Sequence, residues 1–183
     1  MANNKNDFTA IFNQYKLLVY NVALNYSQNT EDAEEITQDV FVKVYQSMET
    51  FKSNSSIKTW IYRITINQSL DFIKQKNSKK RFFMFGKKSE NEKEYQNFSN
   101  FEHPGILLEN IEDAKVLFAT INTLPENQKT AFILSKVDGL SNQEVAEIME
   151  MSISAIESLI FRAKSSLKEK LSNKFLEYRK NKK

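Results

Sequence analysis

The 183-residue sequence contains no cysteine, only three glycines, two prolines and one histidine. The missing cysteines exclude disulfides, thiol chemistry and cysteine-ligated metals, and they fit a reducing compartment. Glycine and proline interrupt helices, whereas the plentiful leucine, lysine, glutamate and glutamine favour them. We therefore predict an all-α protein.

The signs of a membrane protein and of an enzyme are also missing. The sequence has no run of about eighteen apolar residues, and Met1 does not open a basic-then-apolar leader. It has no phosphate-binding loop, no nucleophile with a matching base and no metal-ligand set, since His103 stands alone beside Pro104. We expect a cytoplasmic protein that is not an enzyme, with no cofactor and no small-molecule substrate.

The charges are segregated along the chain, although the net charge is only +3. The segment from Glu31 to Asp39 carries acids and no base, and the segment from Lys74 to Lys88 carries bases and no acid. This segregation predicts that one half of the protein meets two partners of opposite charge.

The first two predicted helices precede a polar loop. Apolar residues at three-and-four spacing indicate a helix from Asn6 to Tyr26. A second helix follows, with Thr30 as its expected cap and a core stripe that includes Phe41. Its other side is acidic with an apolar fringe: Asp32, Glu35, Gln38, Asp39 and Val42. These acids either serve the helix dipole and solubility or face a basic partner.

The stretch from Phe51 to Arg81 begins as a Ser/Asn loop, with Ser55 or Ser56 as cap, and continues as a long helix. At about 100° per residue, one arc of roughly 60° collects four residues that are neither apolar nor a random polar mix. They are Trp60, Arg63, Asn67 and Lys74. Cations, an amide and an indole suit phosphates, base edges and base faces, so we predict a nucleic-acid contact rather than a plain surface helix.

The second half of the chain follows a predicted linker from Gly86 to Gly105. Helices are expected from Leu107 to Ile121 and from Pro125 to Val137. The segment Ser141 to Met149 opens with the capping box of Ser141 and Glu144, and a further helix runs from Ser152 to about Leu171. The short connection between these two helices is typical of a helix-turn-helix.

The last predicted helix has an apolar stripe that begins at Ile153 and an opposite face of small residues with one cation. That face comprises Ser154, Ala155, Ser158, Arg162 and Ser165, which suits insertion into a major groove. Phe161 would either touch a thymine methyl or pack on a neighbouring helix. Glu157 would accept from a cytosine amine, complete a capping box with Ser154, or repel phosphate.

Three stretches together resemble the extracytoplasmic-function (ECF) group of the sigma-70 family of bacterial RNA polymerase sigma factors. They are DAEEITQDVFVKVYQ from Asp32, FKSNSSIKTWIYRITINQSLDF from Phe51, and LPENQKTAFILSKVDGLSNQEVAEIMEMSISAIESLIFRAKSSLKEKL from Leu124. The resemblance implies two small helical domains joined by a linker. The expected parts are a sigma region 2 type bundle over residues 1–85, a linker over 86–105, a region 4 type helix-turn-helix over 106–175 and a basic tail over 176–183.

The resemblance also implies partners and sites. Core RNA polymerase would be bound by Asp32, Glu35, Gln38, Asp39, Phe41 and Val42. The minus-ten promoter DNA would be held by Ser53, Asn54, Ser55, Ser56, Trp60, Arg63, Asn67 and Lys74. The minus-thirty-five DNA would be read by Ser152, Ser154, Ala155, Glu157, Ser158 and Arg162. An anti-sigma factor is a further expected partner, and a conventional helix-turn-helix transcription regulator is the alternative function.

Three positions depart from the pattern of this family. Glu150 occupies a turn where glycine is frequent, and a positive φ there would cost about 1 kcal/mol relative to glycine. Ala155 and Glu157 stand where threonine and a basic residue are common, so the minus-thirty-five sequence cannot be transferred from other members.

Overall fold

A computed structural model of the protein describes the backbone of residues 2–51, 55–85 and 111–181, and side chains over 7–51, 55–79 and 113–172. All regular elements in these ranges are helical. The chain divides into two compact units, Met1–His103 and Pro104–Lys183. None of the helices described is long and apolar enough to cross a membrane. The predicted all-α class with two helical domains is confirmed.

The first unit contains three long helices, which pack against one another. They are α1 (Ala2–Ser27), α2 (Thr30–Ser47) and α3 (Ile57–Phe85), and a single 3-10 turn (Met48–Thr50) follows α2. Apolar residues recur every three or four positions, so each helix buries one stripe against its neighbours. The centre of the core is fully buried and consists of Val19, Ala23, Ala33, Ile36, Val40, Val44 and Ile61.

Side chains from the preceding loops cap α2 and α3. The prediction of Thr30 as the cap of α2 is wrong, because Asn29 Oδ1 accepts the amide hydrogen of Asp32 at 2.8 Å. Thr30 is already helical, and the chain enters the cap through Gln28 with φ of +56°. For α3 the cap is Ser56, whose Oγ accepts from the Thr59 amide at 3.0 Å.

The second unit contains four helices, α4 (Ile111–Asn122), α5 (Glu126–Phe132), α6 (Asn142–Met149) and α7 (Ile153–Asn181). α5 continues as a π-helical turn (Ile133–Val137). Pro125 precedes the first turn of α5 as its cap instead of being its first helical residue. α7 runs well past its expected end at Leu171. The predicted linker, with His103, lies outside the described residues, as do the side chains of the predicted basic tail.

The two ends of α6 confirm two details of the helix-turn-helix. Ser141 Oγ accepts from the Glu144 amide at 3.2 Å, and the Glu144 carboxylate accepts from the Ser141 amide at 3.0 Å, which closes the capping box. At the other end of α6, Glu150 has φ of +56° and ψ of +42°, the left-handed conformation expected for a glycine. The Met151 amide then donates to the Ala146 carbonyl at 3.0 Å.

The buried stripe of α7 consists of Ile156, Leu159, Ile160, Ala163 and Leu167. The expectation that Ile153 belongs to it is wrong, since this side chain is 47% exposed. Ile153 occupies the first turn of α7, at the edge of the stripe.

Lys129 is an unexpected buried cation in α5, only 8% exposed. Burial lowers its pKa to about 8, and nearby Glu126 opposes that shift. α5 packs against α7, so the charge state of Lys129 is linked to the stability of the helix-turn-helix unit.

We expect Glu150→Gly to stabilise the protein by about 0.5–1 kcal/mol, because glycine adopts the left-handed conformation without a Cβ penalty. Glu147→Gly, the same change at an exposed position inside α6, should destabilise it by about 1 kcal/mol. Urea unfolding followed by circular dichroism measures both. A loss of stability in both variants would contradict the strain at Glu150.

We also expect stability to depend on pH through Lys129. Below pH 8 both states carry the charge and the native state bears the full cost of burying it. Between pH 8 and the ordinary value of 10.5, the native state loses the proton before the unfolded state does, so stability rises with pH. Relative to Lys129→Met, the wild type should gain about 2–3 kcal/mol between pH 7.5 and 10.5. If the free energies of unfolding of the two proteins changed with pH in parallel across this window, the linkage would be refuted.

Candidate nucleic-acid and protein interfaces

The surface of α2 has three parts, which follow from its position between α1 and α3. At about 100° per residue, one line of residues points away from both neighbours. We call it the outward crest; it comprises Glu31, Glu35, Gln38 and Val42, all exposed. It is acidic toward the start of α2 and apolar toward its end, where Val42 is 55% exposed.

The side of α2 that faces α3 holds the other two predicted acids, Asp32 and Asp39, both half-buried. Lys76 Nζ donates to Asp32 Oδ1 at 2.6 Å and forms an ion pair with this carboxylate. Gln68 Nε2 donates to Asp39 Oδ2 at 2.9 Å. Since Lys76 belongs to the basic segment, the expected separation of the two charged segments is incomplete: they meet within one unit.

The side of α2 that faces α1 corrects one predicted contact residue. Phe41 is only 5% exposed, and its ring lies 4.7 Å from that of Phe12 and 6.4 Å from that of Phe8. It is therefore a core residue and not part of the surface. Tyr45, which is not among the predicted contacts, is 58% exposed, and its ring centroid lies 5.2 Å from that of Phe8. Its position three residues after Val42 was the available signal.

The stripe on α3 is only partly outward-facing. Asn67 and Lys74 are exposed, whereas Trp60 and Arg63 are half-buried. The Trp60 ring is tilted against Phe51 at 4.8 Å and packs on the core, so its position is fixed by both neighbours.

The loop before α3 is described from Ser55 onward. Ser53 and Asn54, two predicted contacts, lie outside the described residues. Ser55 is half-buried, and the exposed Ser56 already uses its hydroxyl to cap α3, where it lies 2.9 Å from the Thr59 hydroxyl. The described part therefore brings Ser55, Ser56 and Trp60 together at the start of α3.

The exposed face of α7 contains five of the six predicted residues, together with Phe161. Ser152, Ser154, Glu157, Ser158 and Arg162 are exposed, whereas Ala155 is half-buried. Ser152 Oγ caps α7 through the Ala155 amide at 3.2 Å. A shallow groove on this face is lined by Ser154, Glu157, Ser158, Phe161 and Arg162.

For two residues of this face, the structure excludes one of the alternatives left open by the sequence. Phe161 is 70% exposed, so among the described residues it does not pack into a neighbouring helix. Glu157 does not form a capping box with Ser154; its Oε1 lies 3.5 Å from Asn142 Nδ2. Arg162 Nε donates to the Ser158 carbonyl at 3.3 Å, which orients the guanidinium along the face.

Comparison with protein families gives two matches. Sigma-70 region 2 matches residues 11–79, and Sigma-70, region 4 matches residues 115–167. The chain is 28% identical over 169 residues to the ECF RNA polymerase sigma-E factor of Haemophilus influenzae, which covers 92% of this chain and 89% of that protein. It is 29% identical over 141 residues to the sigma-E factor of Escherichia coli, covering 76% and 74%.

Two solved structures are similar in fold. One is CnrH in complex with the cytosolic domain of CnrY, with a TM-score of 0.65, 19% identity, and coverage of 94% of this chain and 92% of that one. The other is the sigma factor RpoE in complex with the anti-sigma factor NepR from Bartonella quintana. It has a TM-score of 0.63 and 24% identity, and covers 91% of this chain and 97% of that one.

Proposed function

The chain belongs to the sigma-70 family, as an ECF sigma factor acting in promoter recognition and transcription initiation, and we propose how its surfaces divide that work. One observation carries the proposal. The region 2 match spans the crest of α2 and the stripe of α3, and the region 4 match spans the helix-turn-helix with the groove of α7. Core polymerase binds at the crest, and promoter DNA binds at α3 and α7.

The crest of α2 is the proposed docking surface for core RNA polymerase. Glu31 and Glu35 present carboxylates that no described residue engages, so a basic surface gains from pairing with them. Val42 and Tyr45 extend the contact with apolar area. Asp32 and Asp39 border this surface, where their bonds to α3 hold α2 in register.

The start of α3 is the proposed contact for melted minus-ten DNA. Separating a base from its stack costs a few kcal/mol, which a pocket and stacking surfaces must offset. Ser55, Ser56 and the fixed ring of Trp60 supply polar and aromatic groups there, and Ser53 and Asn54 would continue the loop. Arg63, Asn67 and Lys74 extend along α3 toward the surrounding strand and its phosphates.

The exposed face of α7 is the proposed reader of the minus-thirty-five duplex. Ser154 and Ser158 are small enough to let the helix approach the bases, with Ser152 at its cap and Ala155 beside them. Arg162 is suited to a guanine edge or a phosphate, and the exposed Phe161 to a thymine methyl.

The partners follow from this division. The minus-ten contact and the minus-thirty-five contact are two weak sites on one chain. They reinforce each other through effective concentration once polymerase holds the protein. We also propose an anti-sigma partner that covers the docking surface, supported by the complex of RpoE with NepR. A cytoplasmic location is proposed with them, because core polymerase is the proposed partner.

A gel-shift experiment separates this function from a conventional helix-turn-helix regulator. The sigma function predicts that the free protein scarcely shifts promoter duplex, and that adding core polymerase produces both a shift and run-off transcripts. A regulator would instead bind a palindromic operator tightly by itself. Failure to bind core or to direct any transcript would refute the sigma function for this chain.

Charge reversal on α2 tests the docking surface. Glu35→Arg should weaken core binding by at least about tenfold, because a repulsive charge replaces an attractive one at the crest. Glu34→Arg is the matched control, because Glu34 is also exposed on the same helix but lies about 100° around the axis from Glu35. Fluorescence anisotropy of labelled protein with core polymerase measures both, and equal losses in the two variants would contradict the crest.

A further inference from the structure

Glu157 is an acid on a face that should repel acids. From Ile153 to Ser165 it is the only acidic residue, and its exposed side chain lines the groove of α7. Duplex DNA carries one negative charge per about 1.7 Å of its axis, so a carboxylate brought against it is unfavourable unless it gains a specific bond. Its presence on a DNA-reading helix therefore calls for an explanation.

The Glu157 carboxylate lies close to the other helix of the motif. Glu157 lies at the edge of the exposed arc that faces the start of α6, where Asn142 Nδ2 approaches Oε1 at 3.5 Å. Arg162 lies about 140° away around α7, at the opposite edge of the groove, so it does not neutralise this carboxylate. Asn142 is the only hydrogen-bond partner of Glu157 in the described part of the chain, and Oε2 is left available to a ligand.

The chemistry of the base edges selects one partner for such a group. An ionised carboxylate only accepts hydrogen bonds. In the major groove guanine and thymine present acceptors, and adenine sets its N6 donor beside the N7 acceptor, whereas cytosine presents the N4 amine alone. Cytosine is therefore the base that a carboxylate contacts without a neighbouring acceptor on the same base.

We propose that Glu157 selects a cytosine in the upstream duplex element and that Asn142 is the positioning residue that holds its carboxylate toward that base. This inference rests on the proposed function of α7 as the reader of that element. It makes one position of the element specific to this chain, because a basic residue at the same place would prefer guanine or a phosphate.

A promoter library tests the proposal. The upstream element is randomised, and templates that support transcription by core polymerase with the full-length protein are selected and sequenced. The wild type should require cytosine at one position, by about 5- to 150-fold over other bases. Glu157→Gln should shift that single position toward adenine, whose N6 and N7 a glutamine amide matches, and leave the other positions unchanged.

Two further variants make the result specific. Glu169→Gln makes the same chemical change at another exposed acid of α7, about 18 Å along the helix, and should leave the selected element unchanged. Asn142→Ala should keep cytosine as the preferred base but reduce its margin, an effect that a loss of stability alone would spread over all positions. Thermal melting of each variant confirms the fold.

The outcomes distinguish a failure of the inference about Glu157 from a failure of the proposed function of α7. An unchanged selected element in Glu157→Gln, with binding to all sequences strengthened equally, would show that Glu157 only repels phosphate and would overturn the proposal. A wild type that selects an element without a required cytosine would overturn it as well. If the wild type selected no element in any promoter, the proposed function itself would fall together with the inference.

Discussion

The burial of α2 between α1 and α3 is the constraint on which the first unit depends. Ile36, Val40 and Val44 are fully buried, so the rotation of α2 about its axis is fixed by close packing. That rotation determines which residues form the crest and which meet a neighbouring helix. A different rotation would expose apolar side chains and bury carboxylates, and both changes are costly.

The same packing joins the two proposed interfaces of this unit. Asp32 and Asp39 of α2 accept hydrogen bonds from Lys76 and Gln68 of α3, the helix proposed to hold melted DNA. Partly buried charged pairs contribute little net stability, but they specify one register between the helices they join. The two proposed surfaces of the unit, on α2 and on α3, are therefore joined by direct contacts.

The second unit presents a narrow polar face on α7. The buried stripe of α7 fixes its rotation, and the left-handed Glu150 sets the direction in which the chain enters it. Small serines, one arginine and an exposed phenylalanine then occupy the side away from the core. Glu157 lies at the edge of that face, next to α6. The direction of its carboxylate therefore depends on both helices of the motif.

The sequence by itself determined the all-α class, the order of the helices, the capping box of Ser141 and Glu144, and the resemblance to the sigma-70 family. These depend on local spacing and on side chains that bond within a few residues. Tertiary structure alone decided that Trp60 lies half inside, that Ile153 and Phe161 lie outside, and that Asp32 meets Lys76. Helical periodicity places a residue on a face, but only the neighbouring helices determine whether that face is covered. Contacts between residues far apart in sequence, such as Gln68 with Asp39, leave no local pattern, so they could not be predicted from it.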